Sequence, residues 1–182
     1  MKVLVPLAPG FEEIEAVTII DVLRRAGIDV TSACLDSSPV TGSHGMAVSA
    51  DRRMDEIATG DFEMIILPGG MPGSANLKAD VRVISAIKAV YENGGRVAAI
   101  CAAPIVLSSA GVIGGKKAAC FPGFEDMMPG TVCLPDPVVT DGRIITGRGP
   151  GCAIPFALKI IEVLKGKTVS SDIKDKLQVY WM

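Results

Sequence analysis

Arg96-Val97-Ala98-Ala99-Ile100-Cys101-Ala102-Ala103-Pro104 reads as a buried strand that turns into a helix at a cysteine. The run 96–100 has strand length and apolar character, and the spacing predicts a helix over 103–110 with Pro104 tolerated in its first turn. Upstream, Asn93-Gly94-Gly95 stops a helix expected over 80–92, and Met64–Leu67 is a buried strand that ends in Pro68-Gly69-Gly70. Further back come a first strand at 2–7, a helix over 11–26 and a second strand at 28–35. In that helix Ile14, Val17, Ile20 and Leu23 lie on one side, and Gly27 is the stop. A small β excursion at 39–50 follows, with Gly42 and Gly45. Downstream the pattern predicts a short strand at 117–121 and a hairpin over 138–146 with a type I′ turn at Asp141-Gly142. A last long helix is expected over 151–165. Strands that alternate with helices imply βαβ units around a mainly parallel sheet, hence an α/β architecture. No repeat, low-complexity tract or polar linker interrupts the pattern, so residues 1–182 read as one domain.

The composition narrows the function. With 49% apolar and 21% charged residues, the chain has the balance of a soluble globular protein. The net charge is −2 and aromatic residues are scarce, which argues against a nucleic-acid partner. No apolar run approaches the ~20 residues that cross a bilayer, and the opening Met1-Lys2-Val3-Leu4-Val5-Pro6 is too short for a signal peptide. No membrane and a cytoplasmic location are therefore expected. The five cysteines, Cys34, Cys101, Cys120, Cys133 and Cys152, form no C-x-x-C pair and suit free thiols in a reducing compartment. With His44 the only histidine, no zinc-ligand spacing is present, and neither a metal nor a cofactor is expected.

A cysteine at a strand-to-helix turn has the geometry of a nucleophile elbow with sulfur in place of oxygen. Free N–H groups and the positive end of the helix dipole face the sulfur there, and such positions lower a cysteine pKa below its free value of ~8.5. Open α/β sheets bind ligands at the carboxyl ends of their strands, which favours a functional Cys101 over an inert core thiol. The Gly69-Gly70 turn at another strand end can aim N–H groups at a developing oxyanion. After the first strand, Gly10-Phe11-Glu12-Glu13-Ile14-Glu15 carries three carboxylates at a helix start, ordinarily dipole complements on a wet surface. Glu15 alone shares a face with apolar neighbours. Desolvation there raises its pKa; protonated, it can hydrogen-bond the Cys101 sulfur or act as acid or base.

Gly10–Glu15, Leu67–Gly70, Ala98–Pro104 and Gly147-Arg148-Gly149-Pro150-Gly151 together resemble the DJ-1/ThiJ/PfpI superfamily, in its parkinsonism-deglycase and YajL-like branch. The resemblance runs from Met1 to about Lys167. It implies a flavodoxin-like three-layer sandwich and a homodimer. It places the family's reactive cysteine on Cys101, the acidic partner on Glu15 and the oxyanion donors on Gly70 and Ala102. It also places an arginine that nears the pocket across the dimer interface on Arg25.

The chain departs from that pattern where the family often has a histidine in a His-Pro context, because Phe121 precedes Pro122 here. That argues against a local Cys–His dyad. It leaves the helix dipole, the backbone donors and Glu15 to activate Cys101, or His44 from a partner subunit; an exposed turn is the favoured reading for His44. Ala102 stands where protease-like branches have histidine, which disfavours peptidase activity, and Ala103 replaces the usual glycine. Cys120 borders the expected pocket, either as a resolving thiol for Cys101 or, more in keeping with base rates, as a small core residue. An amidotransferase triad is excluded because no histidine follows Cys101.

Two functions fit the residues. One is a glyoxalase or deglycase in which Cys101 attacks a reactive carbonyl, methylglyoxal or its adducts on amines, thiols or modified proteins, with Glu15 moving protons. The other is an oxidative-stress sensor or redox-regulated chaperone in which Cys101 oxidises to a sulfinate without turnover.

Overall fold

The structure, a computed structural model, describes residues 1–180. Eleven strands appear in chain order: β1 (Lys2–Leu7), β2 (Asp29–Cys34), β3 (Val40–Thr41), β4 (Ala47–Val48), β5 (Arg52–Arg53), β6 (Met64–Leu67), β7 (Arg96–Ile100), β8 (Lys117–Ala118), β9 (Val132–Cys133), β10 (Val138–Asp141) and β11 (Ile144–Gly147). The helices are α1 (Glu13–Arg25), α2 (Gly73–Ala79), α3 (Val81–Glu92), α4 (Pro104–Ser109), α5 (Ala153–Lys165) and α6 (Lys167–Lys176). Seven strands make one sheet in the order β10-β11-β7-β6-β1-β2-β5, and every pairing in it is parallel except the β10–β11 hairpin. This is the expected flavodoxin-like α/β arrangement.

Side chains alternate across a strand, so a central strand feeds two cores at once. In β7, Ala98 and Ile100 join one core with Val3, Val5, Ile19, Leu23, Phe156 and Ile160, where α1 and α5 pack. Val97 and Ala99 join the other with Leu4, Leu67, Leu77, Ile87 and Val106, where α2, α3 and α4 pack. Both faces of the parallel strands are covered, which explains their continuous apolar runs.

Several expectations are corrected. On α1 the buried stripe is Glu15, Ala16, Ile19, Val22 and Leu23, whereas Ile14 and Val17 are exposed. The helix carries apolar residues on two sides, and periodicity alone does not say which side meets the sheet. Glu12 and Glu13 at its start, expected on a wet surface, are buried together with Glu15, for which burial was expected. The hairpin turn is centred on Gly142-Arg143, one residue later than expected, with φ +61° at Gly142. The strand expected at 117–121 stops at Ala118. Helices α2 and α6 and the edge strands β5 and β9 were not legible.

The sheet register sets the site. Leu67 pairs with Ala99 and Gly147 pairs with Ile100, so β6, β7 and β11 end side by side. From β1 the chain builds outward through β2 to β5 and then returns to β6 on the other side of β1. The crevice between the carboxyl ends of β1 and β6 is therefore a topological switch point, the ligand position of open α/β sheets.

Candidate active site

Cys101 follows β7 directly and holds φ +64°, one of two non-glycine residues in the left-handed region among the described residues. Such a backbone costs about 1–3 kcal/mol and persists only where its surroundings enforce it. Here its N–H donates to the Gly147 carbonyl at 2.9 Å, and its own carbonyl accepts from the Phe121 N–H at 2.8 Å. The elbow is thus clamped from both sides, and the thiol is 8% exposed.

The turn after β6 packs against this elbow with no room for side chains. A Cβ on Gly69 would stand 2.6 Å from Cys101 Cβ and 2.7 Å from Glu15 Oε2. A Cβ on Gly70, which has φ +89°, would stand 2.4 Å from the Glu12 nitrogen. The close approach lets the Gly69 N–H donate to Glu15 Oε2 at 2.7 Å, while the Glu12 N–H donates to the Gly69 carbonyl at 2.9 Å. The N–H groups of Gly70 and Ala102 both face the Cys101 sulfur.

Glu15 is completely buried, and its second oxygen, Oε1, takes no N–H or O–H donor among the described residues. The Cys101 thiol is the group that this side chain meets. Burial pushes the Glu15 carboxyl up to about 7, against the pull of the Gly69 N–H and the Cys101 thiol, and the Glu12 charge adds to the rise. Burial first, and then the Glu15 charge, push the Cys101 thiol up to about 12, while the Gly70 and Ala102 N–H groups oppose the rise. The sequence reading expected a lowered thiol. It credited a helix dipole that α4, six residues long, is too short to supply in strength, and it left out burial. The carboxyl therefore gives up its proton first, near 7, while the thiol keeps its own, so at neutral pH the negative charge of the pair rests on Glu15.

The other sequence candidates sit further out. Arg25 lies ten residues beyond Glu15 on α1, roughly 15 Å along the helix, and its Nε donates to Asp21 Oδ2 at 2.6 Å on the surface. His44 is 69% exposed, with Nδ1 3.0 Å from Glu13 Oε2 and 3.4 Å from Glu12 Oε2. The His44 N–H also meets Glu13 Oε1 at 2.7 Å. These bonds hold the Glu13 carboxyl down to about 2 although burial pushes it up, and they raise His44. Phe121 is 44% exposed and stacks edge-on against Phe124, with ring centroids 6.4 Å apart. Its backbone, not its ring, is bonded to Cys101. The thiol of Cys120 meets Cys133. Glu12, Glu13 and His44 bring ligand-type atoms within 4.8 Å of one another, but backbone N–H groups and Ser43 already hold the two carboxylates.

Sequence reasoning missed Gly69, the residue that bonds Glu15, because the sharp turn gave no means of choosing between adjacent glycines. It also missed buried Thr146, whose Oγ1 accepts the Ala119 N–H at 2.8 Å beside the elbow.

A profile of the DJ-1/PfpI family matches residues 1–163. Protein DJ-1 homolog B of Arabidopsis thaliana is 38% identical over 179 residues, 97% of this chain, which spans only 41% of that relative. The glutathione-independent glyoxalase DJR-1.2 of Caenorhabditis elegans is 37% identical over 157 residues, 85% of this chain and 83% of that one. The structure of oxidised Toxoplasma gondii DJ-1 superposes with a TM-score of 0.95 at 40% identity, covering 99% of both chains. No helix among the described residues is long and apolar enough to cross a membrane. With the elbow, the glycine turn and the buried glutamate in one sheet-edge crevice, and with the profile covering most of its length, the chain belongs to the DJ-1/PfpI family.

Proposed function

We propose that this protein is a cofactor-independent glyoxalase or deglycase in which Cys101 is the nucleophile and Glu15 its proton acceptor. The observation that carries the reading is the buried contact between a thiol and a carboxyl whose pKa lies at about 7. A group near neutral pH is the most useful general base. As the Cys101 sulfur attacks an aldehyde carbonyl, its proton passes to Glu15, and the N–H groups of Gly70 and Ala102 receive the oxyanion. Glu15 gives that proton to the oxyanion, removes the hydrogen of the aldehyde carbon as a proton and delivers it to the neighbouring carbon, while the hydroxyl proton passes to the former ketone oxygen. For methylglyoxal the aldehyde carbon is oxidised and the ketone carbon reduced, so no external oxidant enters. Water cleaves the resulting thioester to a 2-hydroxy acid and restores the thiol. The C. elegans relative named as a glutathione-independent glyoxalase supports the same chemistry.

Lactate formation from methylglyoxal without glutathione tests the reading. Wild type turns over, while Cys101→Ser and Glu15→Gln fall to background. Unchanged lactate formation by Cys101→Ser overturns it. A second reading, a redox sensor in a cytoplasmic stress response, draws on the same donors, since a Cys101 sulfinate would be held by Gly70, Ala102 and Glu15.

The working unit we propose is a dimer of single-domain chains. Ile14, Val17 and Met46 are 57%, 47% and 56% exposed, and they line an apolar groove of about 390 Å³ with Val48. A second copy covering this face accounts for apolar residues on the outer side of α1. Light scattering at micromolar concentration should give twice the chain mass, and Val17→Glu should halve it; a wild-type monomer overturns the proposal.

A further inference from the structure

A second group of sulfurs lies where β8 and β9 pair. Ala118 stands opposite Cys133 in that ladder, and the Leu134 N–H donates to the Ala118 carbonyl at 2.8 Å. This register brings Cys133 beside the chain that continues to Cys120, and the two thiols meet within hydrogen-bonding reach. Both line one surface cavity of about 180 Å³, together with Glu125, Leu134, Pro135 and Arg148. Cys120 is 5% exposed, and Cys133 is half-buried at the cavity. Burial first, then Cys133 and Glu125, push the Cys120 thiol up to about 12, and the Arg148 guanidinium opposes them. Cys120 is therefore a poor first reactant, and the more accessible Cys133 is the sulfur that an oxidant meets.

We propose that Cys120 and Cys133 form a second redox site, which hydrogen peroxide converts from two thiols to an intramolecular disulfide. The Cys133 sulfur attacks one peroxide oxygen and the O–O bond breaks. Cys133 becomes a sulfenic acid, and its thiol proton leaves with the other oxygen as water. The Cys120 sulfur then attacks the sulfenic sulfur; the S–S bond forms, the S–O bond breaks, and the hydroxyl departs with the Cys120 proton as a second water. Two thiols are oxidised and one peroxide is reduced to two waters. Neither step uses Cys101 or Glu15, so this proposal stands apart from the one above. The link lies one residue before Phe121, whose N–H holds the Cys101 carbonyl at 2.8 Å, so it would brace the backbone that clamps the elbow.

Trypsin makes the test direct. No Lys or Arg lies between Lys117 and Arg143, so residues 118–143 form one peptide that carries Cys120 and Cys133 and no other cysteine. The full-length protein is treated with one equivalent of hydrogen peroxide, then alkylated and digested. The expected product is this peptide unalkylated and about 2 Da lighter than its dithiol form, sensitive to dithiothreitol. It should persist in Cys101→Ser and vanish in Cys133→Ser and Cys120→Ser. The wild-type map alone decides the matter if a variant fails to fold. Full alkylation of both cysteines while another cysteine oxidises overturns the proposal. So does a link from Cys120 to Cys101, which would appear as two joined peptides.

Discussion

Glu15→Gln is the most informative perturbation, because it keeps the shape of the side chain and removes its ability to hold or give up a proton. In wild type the Glu15 carboxyl ionises near 7, so at pH 7 about half the molecules carry its negative charge beside a thiol that this charge helps push up to about 12. In the variant only sulfur can ionise. Its pKa then rests on burial against the Gly70 and Ala102 N–H donors, and burial dominates, so it lies at or above the ordinary value of 9.0. With the Glu15 charge and hydrogen bond gone, the thiol sits below its wild-type value of about 12, and Cys101 alkylation above neutral pH should rise, about tenfold for each unit by which the thiol pKa falls. The assay is iodoacetamide labelling followed by mass spectrometry at the Cys101 peptide from pH 5 to 10. The variant should label faster at the alkaline end, its limb displaced to lower pH than that of wild type. Coincident curves would refute the reasoning, since they would mean that the carboxyl and the thiol titrate independently.

The same carboxyl leaves a mark on stability. Glu15 keeps its proton longer in the folded chain, so between pH 4.5 and about 7 the unfolded chain binds fewer protons and stability falls as pH rises, by at most about 3 kcal/mol. Guanidinium midpoints across that window should drop in wild type relative to Glu15→Gln; parallel curves would contradict the burial argument. Glu13 has the opposite sign: held down to about 2, it contributes stability above pH 4.5 that is lost as pH falls. Glu13→Gln should therefore lower the midpoint at pH 7 and flatten the acid limb, and an unaltered acid limb would show that the His44 contacts do not bear on folding. Gly69→Ala forces a methyl to within 2.6 Å of Cys101 Cβ, so it should cost roughly 1–3 kcal/mol and abolish turnover, and retention of full activity would show that the turn yields freely.

Much of this architecture is legible in the sequence because its signals are local. The strand at 96–100, the glycine stops and the cysteine at the turn each depend on a few neighbouring residues. What escaped depends on partners far along the chain. The buried side of α1 is chosen by the sheet beneath it, and two apolar stripes compete for that role. Glu12 and Glu13 look like solvated first-turn acids until the β3–β4 hairpin, some 30 residues on, covers them with Ser43, His44 and Met46. Gly69 and Gly70 are equivalent as letters, and only the register of β6 against β7 shows which N–H reaches Glu15. The thiol pKa was misjudged for a related reason: a turn can be read from sequence, but the desolvation of the pocket around it cannot.

The absence of a histidine after Cys101 also acquires a physical reading. A cysteine enzyme at neutral pH needs a proton acceptor near 7, and imidazole has that value without adjustment. A carboxylate reaches it only if burial lifts it by more than two pH units, and this fold supplies the burial by sealing Glu15 beneath the Gly69-Gly70 turn. Complete burial also costs Glu15 its mobility. The hydrogen bond from the Gly69 N–H fixes Oε2, while Oε1 takes no N–H or O–H donor among the described residues. On the proposed reading, Phe121 in the histidine position leaves the proton-accepting role to Glu15, on the helix that follows β1.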